Sequence, residues 1–127
     1  AAARAMGEAM RHLRIPVGKV LSSTSYRALE TAGMAGFPDP QTYDDLAASG
    51  RSPEHSASLR AQVALVPDAG TNTVIISHLP NISDAFPGDA KDLAEGEALI
   101  YHPDGHGKVT LVARVKIEDW PKLAAAP

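Results

Sequence analysis

There is no cysteine among the 127 residues. That removes disulfides, thiolate metal sites and a cysteine nucleophile. It leaves the compartment open, because a cysteine-free chain suits either redox setting. Aromatic residues are only 5%, so a core must be built mainly from Ala, Val, Leu and Ile. Long apolar runs are missing too: none approaches the roughly 20 residues of a membrane span. Ala1-Ala2-Ala3-Arg4 opens no apolar stretch of the secretory-leader kind. No initiator Met stands at the start, as expected of a processed or partial chain. Excess positive charge is absent, with a net charge of -3 and a pI near 5.9. This argues against a general nucleic-acid or anionic-membrane binder. What is present suffices for a folded domain. Hydrophobic residues make up 44%, and the length fits a single domain over residues 1–127.

The chain is organised around Thr73-Val74-Ile75-Ile76-Ser77-His78-Leu79-Pro80-Asn81-Ile82. An apolar run without alternation predicts a strand buried on both faces. Gly70-Thr71-Asn72 precedes it as a turn, and Pro80 suits the first turn of a following helix. His78 then lies just past the carboxyl end of a central strand, where open α/β sheets bind ligands. A plainer reading makes His78 a polar cap on the sheet.

Elsewhere the pattern alternates between helix and strand. Met6, Ala9, Met10 and Leu13 share one helical face over residues 1–14, and Pro16 and Gly18 end that helix. His12 is read as a surface residue of its last turn. Lys19-Val20-Leu21-Ser22 predicts a short buried strand. The hydroxyl cluster Ser22-Ser23-Thr24-Ser25 then offers several N-caps to a helix carrying Arg27 in its first turn. Helix N-termini present unpaired N–H groups to anions, and an Arg there adds a planar fork for a phosphate. An ordinary exposed Arg is the alternative, though cations are mildly unfavourable in a first turn.

Residues 41–50 read as a loop over the sheet edge. Ser52-Pro53-Glu54 starts a helix striped by Leu59, Val63 and Val66. Glu54 is read as compensating the helix dipole, with a general-acid role second to that. Residues 81–86 predict a short helix. Residues 97–101 and 108–115 predict a hairpin whose loop holds His102, Asp104 and His106. These three are read as solvated turn residues, since a fourth metal ligand is not in evident reach. A last helix over 117–123 places Trp120 against the sheet, and 124–127 reads as frayed. The sum is an α/β layered domain with one sheet.

Arg27 and His78 follow two short strands. In a parallel pair both ends lie on one edge, so the two side chains can converge. Arg plus His among helix N-termini is a phosphate site rather than a metal site or a Ser-His-Asp arrangement, and the chemistry implied is phosphoryl transfer.

Val20-Leu21-Ser22-Ser23 with Arg27-Ala28 and Thr31-Ala32 resembles the strand–turn–helix of the histidine phosphatase superfamily, also called phosphoglycerate mutase-like. Asn72 to His78 with Pro80-Asn81-Ile82 resembles the strand bearing that family's second site His. Residues 93–101, with Glu95-Gly96-Glu97-Ala98, are similar to the strand after it. The opening helix, with Gly7 and residues 11–16, is similar as well. The likeness covers most of the chain and is nearest to small bacterial members.

The resemblance implies a three-layer α/β/α domain with a mostly parallel sheet. It implies a phosphomonoesterase working through phosphohistidine, with no cofactor and no metal. Arg27 matches the phosphoryl clamp, and His78 matches the His that bonds the transferring oxygens. Backbone N–H groups near Leu79 would assist. Leu79 stands where many members have Gly and the phytase branch has Asp, so that branch's acid is not available there. The partner implied is a small phosphomonoester or phosphate; a homo-oligomer is left open.

The family's nucleophile is another His, in an Arg-His-Gly or similar motif on a first strand. These residues carry no such motif. The expectation is therefore that the domain is N-terminally incomplete, with a gap in its sheet, and that these residues alone are inactive. A non-catalytic phosphate-binding member is the alternative. A third reading is a plain structural module with Arg27 and His78 far apart. The resemblance also implies a small, open site, since only about fifty residues separate Arg27 from His78 where that family's mutases carry a much longer insertion.

Overall fold

The computed structural model describes residues 2–47 and 52–125. The Ala-rich opening forms helix α1, Ala2–His12. Arg14 then takes a left-handed φ of 58° ahead of Pro16. Ala9 and Met10 are buried and Met6 packs beside them. Leu13, expected on the same face, is 38% exposed because it lies past the last helical turn. The position of Ala1 in that helix falls outside the described residues.

Strand β1, Val17–Ser22, leads into helix α2, Tyr26–Ala35. Ser25 is the N-cap of α2, its hydroxyl accepting from the Ala28 N–H at 3.3 Å. The helix ends at Gly36, whose φ of 75° suits a residue without Cβ. Helices α1 and α2 approach closely at Gly7, where a Cβ would overlap the Ala35 carbonyl. Arg11 Nη1 donates to that same carbonyl at 2.7 Å, satisfying one helix-terminal acceptor.

The segment expected to be a loop from residue 41 contains strand β2, Gln41–Thr42, and a 3-10 turn at Asp44–Leu46. β2 pairs in parallel with Leu21 and Ser22 of β1. Two residues are too few to show a period, so the strand could not be read. Residues 48–50 of that predicted loop lie outside the described residues. Helix α3, Pro53–Ala64, starts at Ser52, whose hydroxyl accepts from the His55 N–H at 3.1 Å.

The Val/Ile run forms strand β3, Asn72–Ile76, followed by helix α4, Leu79–Ala85. The strand order is β2-β1-β3, all parallel, with Leu21 opposite Ile75 and Ser22 opposite Ile76. Here the structure corrects the sequence reading. β1, not β3, is the central strand, and Val74, Ile75 and Ile76 are only half-buried. An unbroken apolar run encodes what a strand could bury, not how many neighbours cover it.

A single sheet was also expected. Among the described residues there are two, because β4, Ala98–Pro103, and β5, Val109–Val115, form a separate antiparallel pair. His102 belongs to that ladder, opposite Thr110, and not to the connecting loop. Helix α5, Asp119–Ala125, runs through Ala124 and Ala125, which were expected to fray; residues 126–127 are outside the described range.

Successive β3 side chains serve opposite faces. Val74 packs on a cluster of Ala9, Met10, Val115 and Trp120. Ile75 packs on Leu21, Leu46, Leu59 and Ala85. One cluster draws on α1 and α5, the other on α3 and α4, which makes the layers helix, strand, helix. Trp120 is 5% exposed in the first cluster, against the strands as its sequence position predicts.

Candidate functional site

β1 and β3 are parallel, so both strands end on the same edge of the sheet. The Ser23 N–H donates to the Ile76 carbonyl at 2.9 Å, extending the ladder one step past β1. Both chains then turn into helices at this level. His78 occupies the N-cap position of α4 with extended backbone and no side-chain cap bond. Its ring is free to turn across the strand ends. There, His78 Nε2 lies 2.9 Å from Ser23 Oγ.

Ser23 is fully buried. Its Oγ also accepts the Ser25 N–H at 3.1 Å. A chain of contacts thus runs from His78 through Ser23 to Ser25, the cap of α2. Arg27 stands in the first turn of α2 and is exposed. Among the described residues no hydrogen bond or ion pair engages its guanidinium. Leu79 is the first residue of α4 and half-buried, so its N–H lies outside the helical ladder. Glu54 is exposed in the first turn of α3.

The segment between β2 and α3 is tied to the same edge. Ser77 Oγ donates to the Leu46 carbonyl at 2.8 Å, and Asn81 Nδ2 to the Ala47 carbonyl at 3.0 Å. Leu46 is fully buried, which anchors the turn. Asn81 is 6% exposed, and its Oδ1 has no donor among the described residues. Sequence reasoning did not single out Ser23, Ser77 or Asn81. The available signal was the placement of small polar residues directly after two apolar strands.

The other histidines lie elsewhere. His12 ends α1 and is exposed. His55 Nε2 sits 3.2 Å from Asp45 Oδ1, while Ser58 donates to the other oxygen of Asp45 at 2.9 Å. In the hairpin, Asp104 Oδ1 accepts from the N–H groups of His106 and Lys108. It acts there as a turn cap. Among the described residues no group of three His, Asp or Glu could hold a metal ion. A cleft of about 580 Å³ is lined by Ser52, Pro53, Ser56, Arg60 and Asp84. None of Ser23, Arg27 or His78 lines it, so the candidate site is the strand edge and not this cleft. No helix among the described residues is long and apolar enough to cross a membrane.

No family model and no curated protein matches the chain. A solved structure of the protein histidine phosphatase SixA complexed with tungstate does match, with a TM-score of 0.71. The match covers 92% of this chain and 80% of that one at 22% identity. The chain has the fold of the histidine phosphatase superfamily. In this phosphoglycerate mutase-like fold the parallel strands and flanking helices are those the sequence resemblance implied. At this identity the likeness is one of fold, and the chemistry has to be argued from the residues themselves.

Proposed function

We propose that the protein is a phosphomonoester hydrolase acting through a phosphohistidine intermediate. The observation that carries the reading is the seating of His78. Its ring is held by Ser23 at the carboxyl edge of the parallel sheet, beside the start of the helix that bears Arg27. The fold match to a phosphatase complexed with tungstate, a phosphate-like oxyanion, supports the same reading.

In this proposal Arg27 clamps two phosphoryl oxygens through its planar fork. It stands free of intramolecular partners among the described residues, as a ligand-binding Arg must. The unpaired N–H groups in the first turn of α2 add partial positive charge. His78 bonds a third oxygen and stabilises the charge that develops during transfer. The N–H of Leu79 faces no helical acceptor and serves the same oxygens.

The attacking nucleophile is a different His. None of the other four histidines fits that place: His12, His55, His102 and His106 lie on α1, on α3 and in the hairpin. The nucleophile is therefore assigned to a strand preceding Ala1, which would pair with the open edge of β3. The half-buried apolar side chains of Val74, Ile75 and Ile76 support a further neighbour there. The SixA match likewise leaves part of that chain without a counterpart here.

Intact mass and N-terminal sequencing of the natural protein, followed by a phosphatase assay, test the proposal. The expected result is an additional segment with an Arg-His pair and turnover of an aryl phosphate. Denatured protein should carry an acid-labile, base-stable phosphoryl label. The 127 residues alone should bind phosphate or tungstate without turnover. Phosphate binding by a natural protein that lacks the Arg-His pair would make it a binding module of this fold. No phosphate binding at all would sink both readings.

A further inference from the structure

Ser23 has one hydroxyl proton and no exposure to water. Its oxygen already accepts the Ser25 N–H. The hydroxyl proton therefore needs an acceptor inside the protein, because a buried donor left unmet is costly. Among the described residues the acceptor within reach is His78 Nε2, at 2.9 Å. If Nε2 carried a proton instead, two donors would point at one oxygen and the Ser23 proton would be stranded.

We infer that Ser23 is a positioning residue that fixes His78 as the Nδ1–H tautomer and turns that N–H toward the phosphoryl site. The inference rests on the proposed function for the ligand, but the tautomer is a property of the free protein. Nε2 is engaged by Ser23, while Nδ1 has no partner among the described residues. A neutral His78 can then donate from Nδ1 to a phosphoryl oxygen without first taking up a proton. It enters the site as a hydrogen-bond donor, and its ring plane is set by a buried group just past the end of β1. Preorganisation of this kind is what makes an electrostatic site effective. Ser23 itself touches no substrate and acts only through the ring.

Nitrogen-15 NMR of the 127-residue protein tests this, using long-range proton–nitrogen correlations at about pH 8, above the ordinary histidine range. His78→Asn assigns the signals. The expected wild-type pattern is a protonated Nδ1 and an unprotonated Nε2. Ser23→Ala should shift His78 toward the Nε2–H form, while Ser23→Thr, which keeps the hydroxyl, should preserve the native tautomer. If Ser23→Ala does not fold, Ser23→Cys, a weaker donor, is read in the same way. A wild-type Nε2–H ring overturns the inference, as does a tautomer unmoved by removal of the hydroxyl.

Titration with inorganic phosphate separates the two levels. Perturbation of the Nδ1–H, with about a two- to tenfold loss of affinity in Ser23→Ala, supports the positioning role. An Nδ1–H tautomer that depends on Ser23 yet ignores phosphate overturns that role and counts against the phosphatase reading. The tautomer assignment would stand even so.

Discussion

Two polar pairs in this fold use their hydrogen-bonding capacity in opposite ways. Glu97 and Arg114 form a closed pair. Arg114 Nε and Nη2 reach the two Glu97 oxygens at 2.6 and 3.0 Å. The Ala94 N–H donates to Glu97 as well, and Arg114 Nη1 donates to the carbonyls of Asp89 and Lys91. Every strong group in the pair is spent on the protein itself, and the pair fastens the loop before β4 to β5. Ser23 and His78 form an open pair. The serine is fully engaged, while the second ring nitrogen has no partner among the described residues. Arg27, in the first turn of α2, likewise has no side-chain partner among the described residues. A polar network that closes on itself holds structure; one that stops short leaves binding capacity for something else.

Substitutions can break this contrast. The largest effect is expected on oxyanion binding. Arg27→Ala and His78→Ala should each weaken tungstate or phosphate affinity by about 10- to 100-fold, as a charge-assisted hydrogen bond warrants. The thermal midpoint should hardly move in Arg27→Ala, since Arg27 is exposed, and should fall only modestly in His78→Ala, which leaves the buried Ser23 hydroxyl without its acceptor. A large loss of stability in either variant would mean that the open pair is structural after all. Calorimetric titration beside a melting curve reads both.

The closed pair should behave in reverse. Arg114→Met strands a buried carboxylate and should lower the denaturation midpoint more than Arg27→Ala, His78→Ala or Ser25→Ala does. Phosphate affinity of the folded fraction should stay near wild type. The double change Arg114→Met with Glu97→Gln should recover part of the loss, since no charge is then left unpaired. A chemical-denaturation series checks this, and a loss of phosphate binding at full foldedness would erase the distinction between the pairs.

Acid gives a subtler version of the same test. The Arg114 hydrogen bonds, helped by the Ala94 N–H, hold the Glu97 carboxyl down to about 2 against an ordinary 4.5. A depressed carboxyl stabilises the fold fully above its unfolded value. That contribution should fade as pH falls from about 4.5 toward 2. Glu97→Gln should flatten this part of the stability–pH profile, whereas Ser23→Ala should leave its slope unchanged.

The smallest effect expected is at the α2 cap. Ser25→Ala removes one side-chain bond to the Ala28 N–H and should cost about 1 kcal/mol by urea unfolding. Loosening the first turn that presents Arg27 should also weaken phosphate binding slightly. A loss equal to that of Arg27→Ala would show that the cap, and not the guanidinium, carries the anion.

Local signals in the sequence determined a good deal. The apolar runs at residues 20–21 and 74–76, each followed by small polar residues and a helical pattern, placed two strand–turn–helix units. Arg27 stood out in the first turn of the helix after one strand, and His78 just past the end of the other. Pro and Gly spacing bounded most helices to within a few residues. The resemblance to the histidine phosphatases read from these units holds at the level of fold.

Only the tertiary structure decided the rest. That Ser23 rather than another hydroxyl meets His78 depends on the register of β1 against β3, which sets Ser22 opposite Ile76. That β3 lies at the edge of the three-stranded sheet among the described residues depends on neighbours its own residues cannot name. That Glu97 reaches Arg114 depends on the hairpin pairing of β4 and β5. Hydrophobic periodicity and turn chemistry act over a few residues and are legible along the chain. Hydrogen bonds between residues 17 to 55 positions apart form only once packing has brought them together.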